Sequence, residues 1–183
     1  MMKTNLAYSY LGIFFLIAFF SACVKDTDFD QANDIVLSPI VELDLIYFDL
    51  PAITFFDTIT SSPILTVSDT TDLPFLNDEE IRLNLRRAEF YFKVTNSIQR
   101  EFQVVFQFLT EQNEIAYTTQ IPIAQGTVAS PVITEYIENV EGVALEELTM
   151  AEKVAVSVTI PSSNGNLEGT INLQSKTTYY LEF

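Results

Sequence analysis

The chain has no histidine and no tryptophan, a single cysteine and only five glycines among 183 residues. Without histidine there can be no Ser-His-Asp triad, no imidazole-assisted thiol and no imidazole ligand for zinc. One cysteine cannot close an intramolecular disulfide, so covalent cross-links contribute nothing to stability. Glycine is too sparse for a phosphate-cradling loop. Positive charge is also scarce, with nine Lys and Arg against 25 Asp and Glu and a formal net charge of −16. A chain so acidic cannot neutralise a phosphate backbone, which excludes nucleic acid as a partner. It is also repelled by anionic lipid headgroups. No metal site and no cofactor is expected.

What is present begins at the N-terminus. Lys3 is a lone early charge, Leu11 to Phe20 is an unbroken apolar run, and Ser21-Ala22 are small residues preceding Cys23. A charged start, an apolar run of about 7–15 residues and a small-residue exit is the pattern of a secretory signal. A membrane-spanning helix wants about 20 apolar residues, more than this run supplies.

Phe20-Ser21-Ala22-Cys23 resembles the lipobox of bacterial lipoproteins, with Phe20 in place of the usual Leu. The resemblance implies cleavage before Cys23, a thioether-linked diacylglycerol on its sulfur and acylation of the new amino group. Several acyl chains anchor firmly where one alone is marginal, since each buried methylene contributes about 0.8 kcal/mol. Downstream, Lys25, Asp26 and Asp28 resemble the short acidic, lysine-containing segment that sends lipoproteins of the Bacteroidota to the outer cell surface. The resemblance implies a lipid-anchored protein of the outer membrane, at the cell surface or on its periplasmic face. Asp26, Asp28 and Asp30 also occupy the first three ligand spacings of a calcium-binding loop. Gln31 then stands where glycine is required and Leu37 where the bidentate Glu should be, so no metal is assigned.

The organisation expected is therefore a cleaved signal helix over 1–22, a lipidated acidic tether over 23–34 and one domain over 35–183. That domain reads as strands. Val41, Leu43 and Leu45 alternate with Glu42 and Asp44, and the apolar stretch runs on through Ile46-Tyr47-Phe48 until Pro51 ends it. Ile64 to Val67 is a short strand, and Asp69 to Glu80, with Pro74 and several acids, reads as a loop. Ala88, Phe90, Phe92 and Val94 alternate with polar residues. After Asn96-Ser97, Phe102, Val104, Phe106 and Phe108 do the same, which suggests a hairpin. Val154, Val156, Val158 and Ile160 are expected on the facing sheet. Residues 131–152 are open between strand and helix; Val132, Thr134 and Tyr136 favour a strand, and Leu145, Leu148 and Ala151 a helical turn. About eight strands with turn residues between them predict an all-β, single antiparallel β-sandwich, immunoglobulin-like or fibronectin-like in architecture but without their Cys and Trp landmarks.

The remaining chemistry is that of carboxylates. Glu146-Glu147 and Asp78-Glu79-Glu80 are the acid runs from which a glycoside hydrolase would draw its pair. Runs of this kind are usually solvated, and neighbours on a strand point to opposite faces. An enzyme is not expected. A glycan-binding module would use exposed aromatics, and Tyr91 is the candidate because it shares a polar face with Glu89 and Lys93. The function expected is a non-enzymatic interaction or structural component of the cell envelope, with an envelope protein as partner and glycan binding as the alternative.

Overall fold

A computed structural model describes residues 36–183. The signal segment, Cys23, Lys25, Asp26, Asp28 and the half calcium motif all lie outside the described residues.

Alternation of side chains governs the core. In β5 (Leu85–Asn96), Ala88, Phe90, Phe92 and Val94 are buried, and the residues between them are half-buried. The same rhythm buries every second residue of β6 (Phe102–Leu109) and of β9 (Lys153–Thr159). A pleated strand sends alternate side chains to opposite faces, so these are inward positions of half-covered sheets. The other long strands are β1 (Ile40–Pro51), β4 (Thr66–Asp72), β7 (Ile115–Ile123), β8 (Val132–Val140) and β10 (Thr170–Leu181). Two short strands, β2 (Phe56–Asp57) and β3 (Ser62–Pro63), pair with each other between β1 and β4.

The long strands form two four-stranded antiparallel sheets, ordered β1-β10-β5-β8 and β4-β9-β6-β7. Their inward residues merge in one hydrophobic core. The all-β antiparallel sandwich expected from the sequence is what forms. Its strand order differs from the immunoglobulin or fibronectin arrangement. Among the long strands only β6 and β7 are consecutive neighbours within a sheet; every other connection changes sheets. Two sheets of four strands connected in this way make a jelly roll.

The hairpin expected across Asn96-Ser97 is therefore not formed. β5 and β6 lie in opposite sheets, and the apolar sides of both turn inward to meet each other. Residues 97–101 make an arch, because the chain buries Ile98 in the core instead of turning it to solvent. The Asn96 side chain, itself buried, accepts from the Ile98 backbone N–H at 2.8 Å and donates to the Arg100 and Ala124 carbonyls. Ser97 Oγ accepts from the Thr170 N–H at 2.8 Å. Val154, Val156 and Val158 are buried as expected, but beside β6 in the same sheet, not facing it.

Two further readings change. The strand expected at Ile64–Val67 begins at Thr66 and continues to Asp72, through residues read as loop. An edge strand paired only with β9 needs few apolar residues, and in β4 only Val67 is even half-buried. Pro74–Asn77 and Glu79–Asn84 are then a 3-10 turn and a short helix, α1. Within 131–152, β8 is followed by a short helix, α2 (Val143–Leu148), whose Leu145 and Leu148 are buried. No described helix is long and apolar enough to cross a membrane.

Candidate interaction surface

One acid run has a local structural role and the other is solvent-exposed. Asp78 caps α1, its Oδ1 accepting from the Glu80 and Ile81 N–H groups at 2.9 and 3.2 Å. Glu79 and Glu80 occupy the first turn of that helix, where the backbone dipole favours negative charge. Glu146 and Glu147 are exposed on α2. Among the described residues no group of three Asp or Glu gathers as a metal would require.

Tyr91 projects from the outer face of the β1-β10-β5-β8 sheet, opposite Lys176 on β10 and Ile137 on β8. Its hydroxyl donates to Glu135 Oε1 at 3.0 Å. Desolvation and this bond push its phenol pKa upward. Lys176 is held by Glu42 at 2.7 Å, a bond that raises the ammonium's pKa. The Arg87 guanidinium sits 3.8 Å over the Tyr180 ring. This face is thus a mesh of side chains that satisfy one another. Tyr91 is one tied member of it. Tyr47, 68% exposed on β1, is the aromatic of this face most open to solvent.

The outer face of the β4-β9-β6-β7 sheet is different in kind. Strand register places Thr66, Thr159, Gln103 and Pro122 in one row. Ser68, Ser157, Val105 and Gln120 form the next. Thr70, Ala155, Gln107 and Thr118 form a third. None of these residues is charged. Charge returns only in the following row, where Asp72 faces Lys153. Two cross-strand hydroxyl pairs tie β4 to β9, Thr66 to Thr159 at 3.0 Å and Ser68 to Ser157 at 2.8 Å. Beside the first row lies a hollow of about 500 Å³, lined by Phe102, Gln103, Pro122, Thr159 and Pro161, with Glu101 also in its wall.

A patch free of charge on so acidic a chain is the feature the sequence reading missed. Its signal was present. The polar positions of four alternating strands carry Ser, Thr and Gln where the other sheet carries Glu, Asp, Lys and Arg. It could be recognised only once those four strands were known to share a sheet.

No family model matches the chain, and no curated protein matches it. Similar strand architecture occurs in solved structures. A candidate secreted protein from Parabacteroides distasonis, a member of the Bacteroidota, is 12% identical over 62% of this chain and 38% of its own, with a TM-score of 0.42. The VP2 subviral particle of infectious bursal disease virus is 4% identical over 79% of this chain and 32% of its own, at a TM-score of 0.44. The enzymatically active domain of tailspike protein 4 from bacteriophage CBA120 is 13% identical over 80% of this chain and 19% of its own, at 0.38. The chain thus spans about a third of the length of the first two of these structures and a fifth of the third.

Proposed function

We propose that this protein is a lipid-anchored lipoprotein of the bacterial outer membrane that acts, without enzymatic activity, as a docking module for another envelope component. The observation that carries the docking reading is the uncharged outer face of the β4-β9-β6-β7 sheet. With 25 Asp and Glu among 183 residues, a patch of that size would on average carry one or two acids. Leaving them out lowers the repulsion at the point of contact and removes the cost of desolvating ions there, two terms that oppose docking. The N-terminal pattern ending at Cys23 supports the anchor. The engagement of the Asp78 run in helix capping supports a non-catalytic role for those carboxylates.

The test places charge on the face. Gln107→Lys with Gln120→Lys leaves the inward side of both strands untouched. Pulldown from solubilised outer membrane should recover a partner with the parent protein and lose it with this variant, while Lys93→Gln on the opposite face keeps it. Equal recovery by all three would refute docking through this face. Cys23→Ala should release the protein from the membrane fraction, and an external protease should cleave the anchored protein on intact cells.

A second reading, glycan binding on the opposite face, rests on the exposed Tyr47 ring beside Asn172 and Gln174. In that case Tyr47→Ala, and not the Gln pair, abolishes retention on the polysaccharide bound.

A further inference from the structure

Most of the polar side chains that the fold gathers are spent on its own structure. The Glu138 carboxylate stitches β7 to β8. It accepts from Tyr117 Oη at 2.6 Å, from Thr119 Oγ1 at 3.2 Å and from the Tyr136 hydroxyl. The buried Asn96 amide holds the arch, with its oxygen and its nitrogen both engaged. Asn164 is placed differently. It lies exposed in the loop between β9 and β10, and the residue after it, Gly165, is exposed as well. It is the only asparagine in the chain followed by glycine.

Gly165 contributes a free nitrogen. Its backbone N–H donates to nothing among the described residues. Glycine has no Cβ, so nothing on the residue itself crowds an approach from that nitrogen. Attack on the Asn164 side-chain carbon, Cγ, closes a five-membered ring. A nucleophile carried on the same chain avoids the entropy cost of bringing two molecules together. The exposed loop lets the backbone move as the ring closes.

The turn contributes a donor. The Asn166 N–H donates to Asn164 Oδ1 at 2.9 Å, and the Leu167 N–H donates to the Asn164 backbone carbonyl at 3.3 Å. A donor on Oδ1 polarises the amide. It already stands where negative charge develops on attack, as an oxyanion hole of one backbone group. Asn96 is the counter-case. Its follower, Ser97, is also small, but the Ser97 N–H is bonded to the Thr170 carbonyl at 2.9 Å.

We propose that Asn164 is a self-modifying site that converts, with water as the only co-reactant, to aspartate and isoaspartate. The Gly165 nitrogen bonds to Cγ and gives its proton to solvent, while the Asn166 N–H holds the charge formed on Oδ1. Collapse breaks the Cγ–Nδ2 bond and releases ammonia, leaving a cyclic imide. Water then opens the ring. Breaking the bond between the Gly165 nitrogen and Cγ leaves an aspartate side chain. Breaking the bond from that nitrogen to the Asn164 backbone carbon leaves isoaspartate, with the main chain routed through Cγ. Nothing is oxidised or reduced; one water oxygen replaces the departing nitrogen. The sequence carries no charge from Val154 to Leu167. Conversion therefore sets a carboxylate in the loop that leaves the uncharged end of β9, just beyond Pro161 in the wall of the hollow. The inference is independent of docking through the uncharged face.

The test holds the whole protein at mildly alkaline pH and maps its peptides over time. The peptide containing Asn164 should convert first, with release of ammonia, and part of the product should be labelled by an isoaspartyl methyltransferase. Gly165→Ala, whose Cβ would stand 3.2 Å from the Phe56 ring, should slow conversion about tenfold by crowding the attacking nitrogen. Asn166→Pro keeps the Asn164-Gly165 pair and deletes the donor, so it should slow conversion about fivefold, the value of one net hydrogen bond. The native protein should convert no more slowly than the same protein unfolded in urea, because the fold supplies that donor. Intact Asn164 beside converted asparagines elsewhere overturns the inference. So does indifference to Asn166→Pro, or a native rate well below the rate in urea.

Discussion

The rings of Phe92 and Phe106 meet across the sandwich with centroids 4.3 Å apart and planes inclined at 35°. Phe90 and Phe108 repeat the contact one step along, at 4.8 Å. Both pairs join β5 to β6 through the middle of the core.

Phe92→Ala or Phe106→Ala should each cost about 3–5 kcal/mol, the usual range for truncating a buried Phe. Tyr91→Ala, on the outer face, should cost far less. Because the two rings touch, the double variant should lose less than the sum of the singles, by about 0.5–1.5 kcal/mol. Urea denaturation of the four proteins measures this; additive losses would mean the rings do not pack on each other.

The Glu138 clasp should hold β7 to β8. Removing a charged acceptor from three hydroxyl donors should cost about 1.5–3 kcal/mol in Glu138→Ala. Tyr136→Phe, which deletes one donor and keeps the ring, should cost about 1 kcal/mol. Hydrogen exchange should show β7 and β8 losing protection before β5 and β10.

Alkali should weaken the fold. Burial pushes the Tyr179 phenol up from 10.0 to about 12, with the Thr177 hydroxyl pulling the other way. Burial and the Glu138 bond raise Tyr117; the Glu138 bond and then burial raise Tyr136. A folded-state pKa above the unfolded value means the native state holds its proton more tightly. The resulting stability is complete below the ordinary phenol value of 10.0 and is lost as pH climbs toward 12 and beyond. Unfolding free energy measured between pH 8 and 12 should fall over the upper half of that range, by about 2 kcal/mol from Tyr179 alone. Tyr179→Phe should flatten the decline; an unchanged slope would assign it to other groups.

The arch after β5 should tolerate no bulk. A Cβ on Gly126 would stand 1.9 Å from the Asn96 carbonyl oxygen, and one on Gly169 would stand 2.3 Å from that of Ser97. Gly169 also has φ of +101°, a conformation L side chains rarely adopt. Gly126→Ala and Gly169→Ala should each cost more than the roughly 1 kcal/mol typical of a point substitution. Gly142→Ala, whose Cβ would meet nothing within 4 Å, carries only the strain of its φ of +59°. Thermal melts of the three variants rank them.

These contacts also mark what the sequence disclosed and what it withheld. Alternation identified the inward residues of β5, β6 and β9, because burial on one face of a pleat leaves a period of two. It could not show which strands lie side by side, because a buried face looks the same from within its own sheet and from across the core. Asn96-Ser97 reads equally well as a hairpin turn or as the start of an arch. The apolar Ile98 immediately after was the available sign, since a solvent-facing turn has no use for it. Alternation puts Tyr91 on the outer face, but its tie to Glu135 depends on β8 lying beside β5, which no local pattern records. The full length of β4 is not legible because an exposed edge strand of Thr, Ser and Asp has the composition of a loop.

Strand β10 sits between β1 and β5 and is the last strand among the described residues. Among the described residues, β1 therefore finds its sheet neighbour only in β10. No amino-terminal portion can close that sheet for itself, and contacts this distant in sequence form slowly. Until Leu181 is available, the inward residues of β1 and β5 have an unfilled lane between them. A chain threaded through a membrane from its amino terminus would thus stay unfolded for the whole of its passage. Deleting even the final dozen residues should leave not a smaller domain but an open sheet edge, and with it an aggregating chain.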